Sequence, residues 1–144
     1  MSTEENKAIL RRIIAEIWNK GNLAVVDEVM APNYVSHGDG GQEIKGPEGF
    51  KQMITMARTA FPDFHMTIED IVAEGDKVAC RFTCRGTHKG EIIGIAPTGK
   101  QVTVTGIGIN HFVGGKEVEV WESIDQLAMM KQLGVVPPVG QGGG

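Results

Sequence analysis

The chain has 144 residues and a mass of 15.5 kDa, enough for one domain with a core of its own and too little for a second catalytic domain. Hydrophobic residues make up 41% and charged residues 22%, which excludes collagen-like, largely disordered and membrane-protein compositions. Fourteen Lys and Arg against eighteen Asp and Glu leave a net charge of −4 without a basic run, which argues against a nucleic-acid partner. The acidic opening Met1-Ser2-Thr3-Glu4-Glu5 does not read as a signal peptide, and no apolar run approaches ~18 residues. A soluble, cytoplasmic protein with no membrane partner is expected. Twenty glycines are about twice the usual ~7%, so tight turns, a tail or bent strands must account for them.

Ser2 with Glu5 three positions later is a capping-box pattern, and Ile9, Leu10, Ile13, Ile14, Ile17 and Trp18 follow at helical spacing, predicting a helix over about residues 3–19. Gly21 stops it, and Leu23, Val26, Val29 and Met30 predict a short second helix ending before Pro32. Residues 33–37 read as an irregular or extended entry and residues 38–41 as a loop. Pro47 suits the first turn of a third helix carrying Phe50, Met53, Ile54, Ala57 and Phe61, which Pro62 ends.

From Phe64 the period falls to 2, and turn signals at Glu74-Gly75-Asp76, Ala96-Pro97-Thr98-Gly99 and Gly114-Gly115 separate strands joined by hairpin-length connections. Val78, Cys80, Phe82 and Cys84 share one face of such a strand. Cys80 and Cys84 then stand about 13 Å apart, too far to bridge. Residues 127–133, closed by Gly134, read as a short helix or a continued strand. The fold class is therefore α+β: a single domain over residues 1–136 with a strongly curved, largely antiparallel sheet and helices on its concave face, enclosing a pocket for a small apolar molecule. Gly106 and Gly108, inside one strand, are its expected bending points. Residues 137–144 are a flexible Pro/Gly-rich tail.

Motifs of the common nucleotide and zinc enzymes are absent, so no cofactor and no metal site are expected. Ionisable residues at strand ends are the candidates. Asp125 alternates with Trp121 and Glu119; if that side faces the pocket, an apolar wall raises its carboxyl pKa and makes it a general acid/base. Otherwise Asp125 caps the helix that follows. His111 lies across the Gly114-Gly115 hairpin, where it either assists Asp125 or sits satisfied in the core. Trp18, Tyr34, His37, His88 and Trp121 are candidate substrate-binding residues, each with a plain packing or surface alternative.

Ile17-Trp18-Asn19-Lys20-Gly21-Asn22, Tyr34-Val35-Ser36-His37, Gly46-Pro47-Glu48-Gly49-Phe50, Phe61-Pro62-Asp63, Gly86-Thr87-His88, Gly94-Ile95-Ala96-Pro97-Thr98-Gly99-Lys100 and Val120-Trp121 through Asp125-Gln126-Leu127 to Gln132-Leu133-Gly134 resemble, in order and spacing, the SnoaL-like polyketide cyclases. The resemblance implies a cone-shaped α+β barrel, homo-oligomers formed through the sheet, and cofactor-free intramolecular aldol ring closure. It also implies an aspartate acid/base near the end of the last strand and a helper histidine fourteen positions earlier, a separation that Asp125 and His111 have (125 − 111 = 14). A non-catalytic binder of an apolar ligand and an oligomerisation module with a self-filled cavity are the rival readings.

Overall fold

The computed structural model describes residues 2–135; the expected tail lies outside them. The Ser2 hydroxyl accepts from Glu5 N–H while the Glu5 carboxylate accepts from Ser2 N–H, both at 3.1 Å, so the capping box opens helix α1, Thr3–Arg12. The helical path then widens into a π-helical stretch, Ile13–Trp18. A single 3-10 turn, Leu23–Val25, leads into the short α2, Val26–Val29. Strand β1, Met30–His37, β2, Glu43–Lys45, and α3, Gly46–Ala60, follow. Four long strands come next: β3, His65–Glu74; β4, Lys77–Thr87; β5, Gln101–Val113; and β6, Lys116–Ile124. Helix α4, Gln126–Leu133, ends on Gly134 in the left-handed conformation at φ 79°, the C-terminal stop its sequence announces.

The six strands form one curved, unclosed sheet in the order β2-β1-β6-β5-β4-β3. All neighbours are antiparallel except β1 and β6, which run parallel. Of the two readings given for residues 33–37, irregular or extended, the extended one holds, as part of strand β1; β2 was not foreseen. Pro32 lies near the start of β1, whose parallel partner β6 is far along the chain, while β2 pairs with β1 across a short turn but is only three residues long, too short for alternation to show.

Helices α1 and α3 cover the concave side, and the core lies between them and the inward rows of the sheet: Val78, Cys80, Phe82 and Cys84 from β4, Val102, Val104 and Phe112 from β5, and Val120 from β6. Gly106 and Gly108 share that inward face. A Cβ on Gly106 would stand 2.6 Å from two Phe82 ring carbons and 2.9 Å from the Ser123 carbonyl oxygen, so this glycine gives Phe82 its place. Gly106→Ala is expected to lower stability by about 1–3 kcal/mol, read as a fall in the urea midpoint. Gly108→Ala, whose Cβ meets nothing closer than 3.3 Å, should lose less; equal losses would refute this account of Gly106.

Candidate active site

A cavity opens under the cover of the cone. Its walls are apolar: Leu10, Ile13, Ile14 and Trp18 from α1 and the π stretch, Phe50 from α3, Met66 from β3 and Phe82 from β4. The π stretch supplies three of these side chains. Asn19 N–H bonds to the Ile14 carbonyl five residues back, at 3.0 Å, and π turns of this kind cluster at functional sites. The Asn19 amide exchanges two hydrogen bonds with the Met66 backbone, at 2.7 and 3.0 Å, and Arg58 donates to the Trp18 carbonyl at 2.9 Å. The Trp18 ring, edge-on to Phe50 and tilted against Phe64, is held between these anchors.

Against this apolar wall the sheet sets Tyr34 of β1, Asn110 of β5, and two carboxylic acids of β6, Glu117 and Glu122. Glu122 points inward because β6 turns the row Val120, Glu122 and Ile124 toward the core, the first buried and the other two half-buried, and leaves Trp121 and Ser123 outside. Strand alternation alone would send Glu117 outward with Glu119. A β-bulge at Val118 prevents this: His111 pairs with Glu119 while Phe112 pairs with Glu117, so the extra residue turns Glu117 into the core.

Burial, and then the carboxylate of Asp39, push the Glu122 carboxyl up to about 7. Glu117, only 2% exposed, is driven well above the usual carboxylate range by burial and then by Glu122. Among the described residues its Oε2 has no hydrogen-bond partner. Burial and both glutamates raise the Tyr34 hydroxyl as well, against the Ser36 hydroxyl that bonds to it. Burial first, and Glu122 second, lift the Cys80 thiol to about 11 and Cys84 to about 12, so both thiols are inert at neutral pH. Asp39 is held by Ser123 Oγ at 2.7 Å and Ile124 N–H at 3.0 Å, which fixes its charge near the end of β6. The residues expected to form only a loop thus include the group that tunes Glu122.

The residues singled out from sequence divide. Trp18 and Tyr34 line the cavity. Trp121 is on the outer face, stacked at 5.3 Å on His37, whose Nε2 lies 2.5 Å from Glu119 and Nδ1 3.3 Å from Glu43. His88 is fully buried but away from the cavity: its Nδ1 accepts from Thr98 N–H at 3.2 Å and fastens the loop between β4 and β5.

Asp125 and His111 do not converge. Asp125 caps α4, its Oδ1 accepting from Ala128 N–H at 3.0 Å, and borders an outer hollow with Arg81, Thr105, Ile107 and Ser123. His111 bonds to Asp76 at 2.8 Å. Asp125 N–H bonds to Thr105, six residues from His111 along β5 (111 − 105 = 6), which is ~20 Å in a strand. Both belong to the sheet face opposite the cavity, because the side carrying Trp121 faces outward. The pair fourteen residues apart that the hairpin does set opposite each other is Gly108 and Glu122.

The family model described as SnoaL-like polyketide cyclase matches residues 8–133. The chain belongs to the SnoaL-like polyketide cyclase family. A curated member, aklanonic acid methyl ester cyclase AcmA of Streptomyces galilaeus, is 30% identical over 133 residues, covering 90% of this chain and 91% of AcmA. The cyclase DnrD of Streptomyces peucetius, of the same description, is 28% identical, covering 99% of this chain and 98% of its own. Among solved structures, a protein of Jannaschia sp. CCS1 assigned as a SnoaL-like polyketide cyclase superposes with a TM-score of 0.86 at 25% identity, over 94% of this chain and 95% of that one. AclR of Streptomyces galilaeus, assigned as a hydroxylase, superposes at 0.84 with 31% identity over 97% and 91%. The SnoaL-like fold expected from the sequence is confirmed, and this member is a cyclase-like enzyme.

Proposed function

We propose that the protein closes a ring by an intramolecular aldol-type reaction on an apolar, enolisable substrate, with Glu122 as general acid/base and no cofactor. The observation that carries this reading is a carboxyl held near neutrality in an apolar interior cavity. Such a group is ionised often enough to take a proton and acidic enough to return it. Glu122 removes a proton from a carbon between two carbonyls, and the C–H electron pair becomes the enolate. The enolate carbon bonds to a ketone or aldehyde carbon of the same molecule, the carbonyl electron pair becomes an alkoxide, and Glu122 gives its proton back. No proton or electron is gained or lost overall. Holding the two carbons together supplies much of the rate.

The names of the relatives, aklanonic acid methyl ester cyclases and a nogalonic acid methyl ester cyclase 26% identical over 120 residues, support an ester-bearing polyketide as substrate. The free space among the cavity side chains is about 30 Å³, room for one or two waters and far below the ~300–1,000 Å³ of an occupied ligand site. A substrate of that class therefore enters by moving the cover formed by α1 and the π stretch, which packs on the sheet through side chains. The test is conversion of aklanonic acid methyl ester by the wild-type protein and by Glu122→Gln. Cyclisation by the first and its loss in the second are expected; a folded variant as active as wild type overturns the assignment.

We also propose that two copies pair through the outer face of the sheet. Val72, Ala79, Ile109 and Trp121 stand in register across β3 to β6, and Val72, Ile109, Trp121 and the adjacent Ile107 are exposed. Ile109→Arg is expected to reduce the mass measured by light scattering to that of one chain; an unchanged mass of two or more chains, or a monomeric wild type, counts against this face.

A further inference from the structure

Glu117 has no part in the reaction just described, yet it shares the cavity with Glu122. It lies at the start of β6, 2% exposed, and its Oε2 meets no donor or acceptor among the described residues. Leaving a polar atom so buried without a partner is costly, and an ionised, unpaired carboxylate costs far more. The groups that face it are Tyr34 from β1, Asn110 from β5 and Glu122 on its own strand, with Cys80 of β4 completing the polar part of the wall. No Lys, Arg or His is among the residues lining the cavity. Of the groups facing Glu117, Asn110 spends one of its amide N–H groups on the Val78 carbonyl, at 3.3 Å. Among the described residues no cation lines the cavity to hold a second negative charge beside Glu122, Arg11 acting only on Cys80, and none takes the bond that Glu117 has to give.

We propose that Glu117 is a second catalytic residue: a neutral carboxyl whose Oε2–H donates a hydrogen bond to the substrate oxygen that becomes negative when Glu122 removes the proton. This assignment rests on the reading of Glu122 as the base. The two acids then divide the work. Glu122 carries the single negative charge before the reaction, the enolate or alkoxide oxygen carries it during the reaction, and Glu117 keeps its proton throughout. A fixed donor in an apolar-walled cavity is worth most where charge appears, because it needs no reorganisation at that moment. The direction of the Glu117 shift agrees, since burial and the neighbouring Glu122 charge both hold its proton on. The bulge at Val118 acquires a purpose on this view, since without it Glu117 would lie on the outer face.

The test separates the donor from the base. Glu117→Gln keeps a donor of the same size and should retain kcat on aklanonic acid methyl ester within about tenfold, whereas Glu117→Met removes the donor and should lose about 10²–10³-fold. The acid limb of the kcat profile, set by Glu122, should stay in place in Glu117→Gln because a neutral group has been replaced by a neutral group. A limb displaced by a full unit or more shows that Glu117 is charged in the active form and overturns the proposal. Infrared spectroscopy gives a reading independent of any substrate. At pH 8.5 the wild-type protein and Glu122→Gln should both show the stretch of a protonated carboxyl, and Glu117→Gln should lack it. Its absence from wild type is fatal to the neutral-carboxyl assignment even if Glu122→Gln behaves as expected. If instead Glu122→Gln keeps its turnover and Glu117→Gln is inactive, the roles are reversed and both assignments fall.

Discussion

Glu122→Gln is expected to fold normally and to lower kcat on aklanonic acid methyl ester by about 10²–10⁴-fold, the range associated with loss of a positioned general base. The amide fills the same space and keeps hydrogen-bonding ability, so binding should change far less than kcat. In the wild-type protein the ionised form is the active one, and Glu122 loses its proton near 7. Activity should therefore rise with pH through that value and level off above it. Asp39→Asn supplies an internal control. Asp39 is the second cause of the upward shift, after burial. Removing its charge should move the acid limb to lower pH while leaving the plateau rate nearly intact, since Asp39 itself is tied to Ser123 and Ile124. Asp125→Asn should have little effect on kcat, because that carboxylate caps α4 outside the cavity. Loss of turnover in Asp125→Asn with full activity in Glu122→Gln would restore the assignment implied by family resemblance and remove the one made from geometry.

The contrast between these two acids marks where the sequence is informative. Local signals were legible: the Ser2–Glu5 capping box, the apolar stripe from Leu10 to Trp18, the stop at Gly134, and the buried row Val78, Cys80, Phe82 and Cys84 all appear as their spacing predicts. Each depends on contacts within a few residues or on strict alternation. Trp18 and Tyr34 reach the cavity for the same reason. Alternation groups Trp121 with Glu119 and Asp125 and groups Val120 with Glu122, but it does not state which group faces the helices. Trp121 is the more apolar landmark, and it faces outward against His37. A separation of fourteen residues is likewise shared by His111 with Asp125 and by Gly108 with Glu122, and only the hairpin register distinguishes them. Glu117 was hidden more deeply, because a bulge breaks the alternation from which any inward assignment would be made. The π turn left no mark either, since a residue inserted into the hydrogen-bond ladder changes the backbone and not the pattern of apolar side chains.

Two acids in one small interior cavity should also leave a signature in stability. Both carboxyls titrate higher in the folded protein than the ordinary value of 4.5. A group of this kind favours the folded state most when both states hold the proton, below 4.5. Its contribution falls as pH rises from there, while the unfolded chain ionises and the folded one does not. For Glu122 the window closes near 7. A shift of that size corresponds to about 3 kcal/mol. Glu117 adds to the decline in the same direction, because burial and then Glu122 hold its proton on. Glu5, Asp63 and Asp76 act in the opposite sense, since hydrogen bonds hold their carboxyls low. Their contribution is complete above the ordinary carboxylate range and is lost only in acid, so the comparison belongs between pH 5 and pH 8. In urea denaturation the wild-type unfolding free energy should fall across that interval. Glu117→Gln and Glu122→Gln should each flatten the fall, and the double variant, which leaves every histidine in place, should remove it and be the most stable protein at pH 8. Parallel curves for wild type and double variant would mean that neither acid resists ionisation. Acids that weaken the fold at the pH where it works are hard to explain as packing, since Met or Leu would fill the same volume without the penalty. They are intelligible as working parts, placed where local consistency is given up for chemistry.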